Sequence, residues 1–326
     1  MNSIYGLKTM DDKIINYNEI YSDIINYNYV MTEDYIFFGR FSNIWKHIPL
    51  CEFLAIEKPN SYIDTNCGAP EYQLTGSSEQ QYGIFHIEKN IEKSEIIQKS
   101  VFWNILTSIS ENKSGISKYL GSPGFALKIL GEITNKFMFF DIKSNYLKET
   151  ANYAKKLNLA NKANKEFFYI NEDSLNGLFK MIPELGTEDF INFDPYFIHQ
   201  KNDNNLCYFD VFCMAMRKGI MGMLWYGFNT LRKREFLHNA IFKSQFNSSS
   251  KTHLHGIEIM SILLSDHRLD VNPGVLGCGI LIGNLSENSH QSFRKMAQEI
   301  TNIYKESTMF DKYSGELRFE EFEIQV

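Results

Sequence analysis

At 326 residues, with 44% hydrophobic and 14% aromatic content, the chain has the apolar mass for one large packed domain or two modest ones, which excludes a mostly disordered protein. Lysine and arginine total 33 against 39 acids, a formal charge of −6, opposite to the balance that proteins held to nucleic acid by phosphate contacts usually carry. The cysteines, Cys51, Cys67, Cys207, Cys213 and Cys278, are scattered and odd in number. They form no C-x-x-C spacing, which argues against a disulfide framework or a metal site and for a reducing compartment.

The first residues carry no basic-then-apolar signal, and no apolar run is long enough to span a bilayer. The expectation is therefore a soluble, cytoplasmic protein that enters no membrane on its own. Residues 1–32 are rich in Asn, Tyr, Ile and Asp, with Ile14, Ile15, Ile20, Ile24 and Ile25 near helical spacing. They read as an N-terminal arm, and residues 33–326 as the main domain. From Phe41 to Leu54 the spacing predicts a helix, capped by Ser42 or Asn43 and disturbed at Pro49. Lys46 and His47 lie within it.

Ser61-Tyr62-Ile63-Asp64 reads as a strand, followed by the small turn Thr65-Asn66-Cys67-Gly68-Ala69-Pro70, where a backbone makes room for a nucleotide-like ligand. Apolar residues at helical spacing then predict a helical insertion over about 77–118. The turn Tyr119-Leu120-Gly121-Ser122-Pro123-Gly124 opens another helix. Beyond it strand and helix alternate, with strands ending near Asp141, Asp173 and Asp194, a strand at Ile220–Tyr226, and helices at Asn145–Leu157, Leu175–Met181, Cys207–Met216 and Arg232–Phe242. Arg232-Lys233-Arg234 reads as a solvated helix face. Late strands over His253–Leu264 and Val275–Ile282 precede a helix over Glu287–Tyr304. The alternation predicts a doubly wound, Rossmann-like α/β sheet with an antiparallel edge.

Four strands thus end at or near an acid: Asp64, Asp141, Asp173 and Asp194. One such acid is an ordinary turn former, but four at the same end of one sheet would ring a ligand crevice. Phe193-Asp194-Pro195-Tyr196-Phe197 stands out among them. Its proline forces the chain out of the sheet and leaves a carboxylate beside aromatic rings, a setting suited to a flat substrate that must lose a proton.

In order and wording these motifs resemble the RlmJ-type adenine-N6 methyltransferases of 23S ribosomal RNA. Tyr62-Ile63-Asp64-Thr65-Asn66-Cys67-Gly68-Ala69-Pro70-Glu71-Tyr72-Gln73-Leu74 is similar to the family's Y-L-D-T-H-A-G-A-G-R-Y-Q-L segment, and Tyr119–Pro123 to its Y-P-G-S-P. Asp173-Ser174 stands at its D-G pair, Asp194-Pro195-Tyr196-Phe197 at its D-P-P-Y, Leu224-Trp225-Tyr226 at its L-W-Y, and Lys46-His47 at its K-H pair. The resemblance runs from about Ile44 to Tyr304.

It implies a class I methyltransferase fold that uses S-adenosylmethionine, with Lys46, His47, Asn66, Ser122, Asp141, Asp173 and Ser174 lining the cofactor site and Asp194 catalytic. The physical reading agrees: Asp64 and the turn at Gly68 frame the cofactor, Asp141 suits ribose hydroxyls, Asp194 and the Pro195 carbonyl suit an amine, and Phe197 suits stacking on its ring. The implied reaction is N-methylation of a nucleobase, RNA adenine by resemblance, or of a small planar molecule, with RNA opposed by the net charge. Three departures stand out: Tyr196 replaces the second proline, Asn66 the family's histidine, and Asp141 its glutamate. The family's histidine-rich N-terminal segment is here Asp34–Phe41. A competing reading, resting on Tyr196, is a catalytically degenerate protein that binds the cofactor or a partner.

Overall fold

The structure, a computed structural model, describes residues 38–110, 115–243, 252–261, 276–304 and 317–326. The arm over residues 1–32, residues 34–37 of the segment replacing the family's histidine-rich stretch, residues 111–114 of the insertion, and residues 262–264 and 275 of the two predicted late strands lie outside the described residues.

An eight-stranded sheet organises the described chain. Helix α1 (Phe41–Glu57) leads into β1 (Ser61–Asp64), and β2 (Glu71–Gln73) pairs antiparallel with β3 (Lys118–Leu120) as the stem of the insertion. Helix α1 continues through Pro49, and Arg40 occupies its N-cap position without a side-chain bond, so Ser42 and Asn43 lie inside the helix rather than capping it. The insertion is helical, as its periodicity predicts, but divided into short pieces. It consists of α2 (Ser78–Tyr82), α3 (Ile84–Lys89), a 3-10 turn at Ile91–Lys93, α4 (Glu95–Gln98) and α5 (Val101–Ile109). Serines punctuate it: Ser77, Ser94 and Ser100 each accept a bond from a backbone N–H in the following turn.

Next come α6 (Ser122–Leu130), β4 (Lys136–Phe140), α7 (Ser144–Lys156), β5 (Glu166–Ile170), α8 (Ser174–Met181) and β6 (Asp189–Phe193). The remainder is α9 (Tyr208–Arg217), β7 (Met221–Phe228), α10 (Leu231–Lys243), β8 (His253–Ser261), β9 (Gly277–Gly283), α11 (Glu287–Tyr304) and β10 (Leu317–Gln325). In space the strands run β10-β8-β9-β7-β6-β1-β4-β5, parallel from β7 to β5. The antiparallel part is larger than expected. β9 inserts antiparallel between β7 and β8, and β10 forms an outer strand not anticipated from the sequence.

Alternation along the central strands splits the core between the two faces. Tyr62, Phe137, Phe139 and Phe190 pack with α1, α6 and α11, whereas Ile63, Met138, Phe140 and Ile191 pack with α8 and α9. The chain leaves β1 toward β4 and β5 on one side, then returns to β6 and β7 on the other. The switch in direction falls between β1 and β6, where sheets of this kind hold ligands beyond the strand tips.

The Arg232–Arg234 run is not simply a solvated face. Arg234 bonds the fully buried carboxylate of Glu258 through Nε at 2.6 Å and also reaches Glu320. Tyr226 donates to Glu258 at 2.6 Å and His238 meets the same oxygen, so one carboxylate ties β7, β8 and α10 together. Burial raises its pKa, but His238, Tyr226 and Arg234 bring it below the usual glutamate range. The stabilisation is therefore present at neutral pH and is lost as pH falls through the carboxylate range. Replacing Glu258 by Ala strands these donors and is expected to remove about 2 kcal/mol, below the usual range for a broken buried pair because Arg234 reaches solvent. Urea midpoints at pH 7 and pH 4 measure it: the gap between wild type and variant narrows at the lower pH.

Candidate active site at the carboxyl edge of the sheet

Asp64 is the last residue of β1 and is fully buried. Its carboxylate accepts from the Tyr62 hydroxyl at 2.9 Å and the Asn192 amide at 3.4 Å, and it is hydrogen-bonded by Ser122 at the start of α6. Burial raises its pKa to about 6, with Ser122, Tyr62 and Lys46 pulling down and Asp194 pushing up. Expected to line the cofactor site, Asp64 is fully buried at the end of β1, bonded to Ser122.

Asp194 follows β6 immediately, one strand over. Lys46 of α1 forms an ion pair with its carboxylate, and the Lys46 ammonium also lies 5.7 Å from the centre of the Trp225 ring. The Asp194 backbone N–H donates to the Thr65 hydroxyl at 3.3 Å, and Thr65 donates to the Asn66 side chain at 2.6 Å. Burial raises the Asp194 pKa and Lys46 pulls against that rise. Pro195 is buried, Tyr196 is 84% exposed, and Phe197 is half-buried with Tyr196 edge-on at 4.6 Å. Lys233 of α10 places its ammonium 5.3 Å from the Phe197 ring centre.

The Asp141 carboxylate accepts from the Gly68 N–H at 2.9 Å and the Lys143 N–H at 2.8 Å, which fastens the turn after β1 to the tip of β4. An ionised carboxylate has about four acceptor positions, so these bonds leave room for a diol. Gly68 has φ +62°, a conformation that glycine adopts without strain. Asp173 caps α8 by accepting from Leu175 N–H at 2.8 Å, and Ser174 meets the Tyr208 hydroxyl at 2.8 Å. Tyr208 also bonds Asn66, so Asn66, Tyr208 and Ser174 make a continuous wall from β1 to α8.

Lys46, Asp64, Asn66, Gly68, Ser122, Asp141, Asp173, Ser174, Asp194, Pro195 and Phe197 therefore gather along one edge of the sheet. His47 stands apart. Its Nδ1 lies 3.0 Å from the Tyr119 hydroxyl, its ring packs against Phe125, and it is buried in the core beside the site. Next to Lys46 on the helix, its side chain falls on the inner face, and burial drives its pKa well down.

Sequence reasoning missed Thr65, Asn192, Tyr208 and Ile142. Thr65 and Asn192 sit beside the residues singled out, and each bonds across to the neighbouring strand, Thr65 to the Asp194 N–H and Asn192 to Asp64. Tyr208 lies on the predicted helix Cys207–Met216, for which no role beyond packing was read. Ile142, beside Asp141, is 75% exposed, an apolar side chain presented at the strand edge.

Sheet order, switch point and edge together define a Rossmann-like α/β fold. No family model and no curated protein matches the sequence. Among solved structures, protein LPL1258 from Legionella pneumophila is similar at 20% identity, covering 88% of this chain and 98% of that one with a TM-score of 0.65, which is a likeness of fold. An O-methyltransferase from Bacillus cereus in complex with SAH aligns over 83% of this chain and 94% of its own at 9% identity and TM-score 0.37. An rRNA methylase from Streptococcus thermophilus aligns over 72% and 94% at 10% identity and TM-score 0.31. Among the described residues no helix is long and apolar enough to cross a membrane.

Proposed function

We propose that this protein is an S-adenosylmethionine-dependent N-methyltransferase acting on an amine of a nucleobase or a small planar molecule. The observation that carries the proposal is Asp194, a largely buried carboxylate at the switch point, oriented by Lys46 and Thr65 and followed at once by aromatic rings.

The residues present fit the cofactor. At Gly68 an added Cβ would come within 2.9 Å of the Tyr72 hydroxyl and φ is +62°, so glycine is required there and presents bare backbone at the turn after β1. Asp141 keeps acceptor positions for a ribose, and exposed Ile142 offers an apolar face for adenine. Asp173 and Ser174 supply polar groups at the far end of the same edge. When bound, S-adenosylmethionine supplies a methyl group on a cationic sulfur.

This chain's own part is orientation and proton handling. Asp194 accepts a hydrogen bond from the acceptor amine, aims its lone pair, and takes the proton that methylation releases. Phe197 offers a ring face to the acceptor. A base within RNA must be unstacked to reach this depth.

Titration of S-adenosylmethionine into the full chain, with label transfer followed on ribosomal RNA fragments, free nucleosides and small aromatic amines, tests the reading. Binding with transfer to at least one amine is expected. Binding without transfer to any of them favours the degenerate reading, to which the exposed Tyr196 points. Absence of binding overturns the proposal and the cofactor-binding form of the degenerate reading.

A further inference from the structure

The buried groups between α1, α6 and the tips of β1 and β6 do not balance in charge. Asp64 and Asp194 bring two carboxylates and Lys46 one ammonium, which is committed to Asp194. The hydrogen-bond partners of Asp64 are neutral: the Tyr62 hydroxyl, Ser122 and the Asn192 amide. The other groups around it do not compensate. Burial pushes the Tyr62 phenol and the Cys67 thiol up, and both stay protonated and neutral. Burial pushes the His47 imidazole of α1 down, so it also stays neutral. Asp141, which also acts on Cys67, adds a further acid. A buried carboxylate in such a setting takes up a proton or a cationic ligand, because an uncompensated buried charge is strongly unfavourable.

We propose that Asp64 is the counter-charge for a cationic cofactor, and that it lets this site distinguish the sulfonium cofactor from its neutral thioether product. The inference rests on the methyltransferase reading and extends it to how product is exchanged for fresh cofactor. S-adenosylmethionine carries a net charge of about +1 near neutral pH, whereas S-adenosylhomocysteine carries about zero, since the sulfonium charge is gone. With the sulfonium present, the two carboxylates face two cations. With the thioether, one carboxylate is left over unless it takes a proton.

The sign of the pH effect follows. The Asp64 pKa is raised to about 6, so in the empty site it holds a proton below that pH and is ionised above it. A cation binds the ionised form and expels the proton from the protonated one. Affinity for the cation therefore climbs as pH rises through that value and then levels off, while affinity for the neutral product does not follow.

Calorimetric titration of the full chain with S-adenosylmethionine, sinefungin (an analogue whose charge resides on an amine) and S-adenosylhomocysteine tests this. Measurements at several pH values in two buffers of different ionisation heat give affinity and proton release together. The two cations should bind roughly tenfold tighter at about pH 7 than at about pH 5 and release a proton in the lower half of that range, whereas the neutral product should change by less than about threefold. Asp64→Asn should remove the slope and cut the preference for cation over product roughly tenfold while retaining product binding. If that variant does not fold, the proton release of the wild type decides alone. Identical pH curves for cation and product would overturn the charge discrimination and leave the methyltransferase reading standing. Failure of all three to bind would overturn that reading, and this inference with it.

Discussion

Asp194→Asn is expected to slow methyl transfer about a thousandfold, within the range that a positioned acid–base group supplies. The side chain keeps its size, and the backbone N–H that donates to Thr65 is untouched, so the turn stays in place. What disappears is the acceptor for the amine proton and the partner of Lys46. The remaining oxygen of Asn still accepts one hydrogen bond, but it cannot take up a proton. The Lys46 ammonium, left without its partner, then repels a second cation nearby, so S-adenosylmethionine binding weakens while S-adenosylhomocysteine binding stays within about threefold. Single-turnover transfer at saturating cofactor separates the two effects, with product affinity as the check on folding. A variant that transfers methyl within tenfold of wild type would remove Asp194 from the chemistry.

Most of the parallel half of the sheet was legible because β1, β4, β5 and β6 are short apolar runs that stop at or near an acid. Asp141 and Asp194 follow β4 and β6 directly, and Asp64 closes β1. Strand β10 was not legible. Leu317, Phe319, Phe322 and Ile324 change phase midway, and Arg318, Glu320, Glu321 and Glu323 fill the positions between, so period-two alternation is broken. The sheet tolerates this because β10 lies at the edge, with Glu320 and Glu321 turned to Arg234 and Arg294. The insertion was legible as helical, but not where its helices break. Its apolar spacing is continuous, while Ser77, Ser94 and Ser100 each cap the start of a new short helix.

At the candidate site, residues that follow strand tips could be read, and residues that act across strands could not. Asn192 looks like one polar residue in a buried strand, until register places it beside Asp64 of β1. Arg234 looks solvated because its partners, Glu258 and Glu320, lie 24 and 86 residues away. His47 shows the converse. Its neighbour Lys46 reaches the crevice, and one step around a helix carries the next side chain into the core.

Gly124→Ala is expected to destabilise the protein by about 3 kcal/mol, the upper part of the range for overpacking, because the obstruction is backbone. A Cβ at position 124 would lie 2.1 Å from the Pro70 carbonyl oxygen, and one at Gly121 2.3 Å from that of Ala69. The backbone torsions at Gly121 are ordinary for any residue, so space sets the requirement there, not conformation. These two glycines let the start of α6 press on the turn after β1, and the Gly121 N–H donates to the Pro70 carbonyl at 3.1 Å. One methyl group must therefore push either α6 or the turn away. Moving α6 withdraws Ser122 from Asp64, and moving the turn displaces Asn66 and Gly68, so cofactor affinity should fall at least about tenfold even where the variant remains folded. Gly186→Ala is the control: its Cβ would find only the Asp189 carboxylate, at an ordinary 4.0 Å, and little change in either measurement is expected. Urea midpoints and cofactor titration of the two variants side by side decide it, and equal behaviour would mean that the Tyr119–Gly124 motif does not hold the turn against the helix.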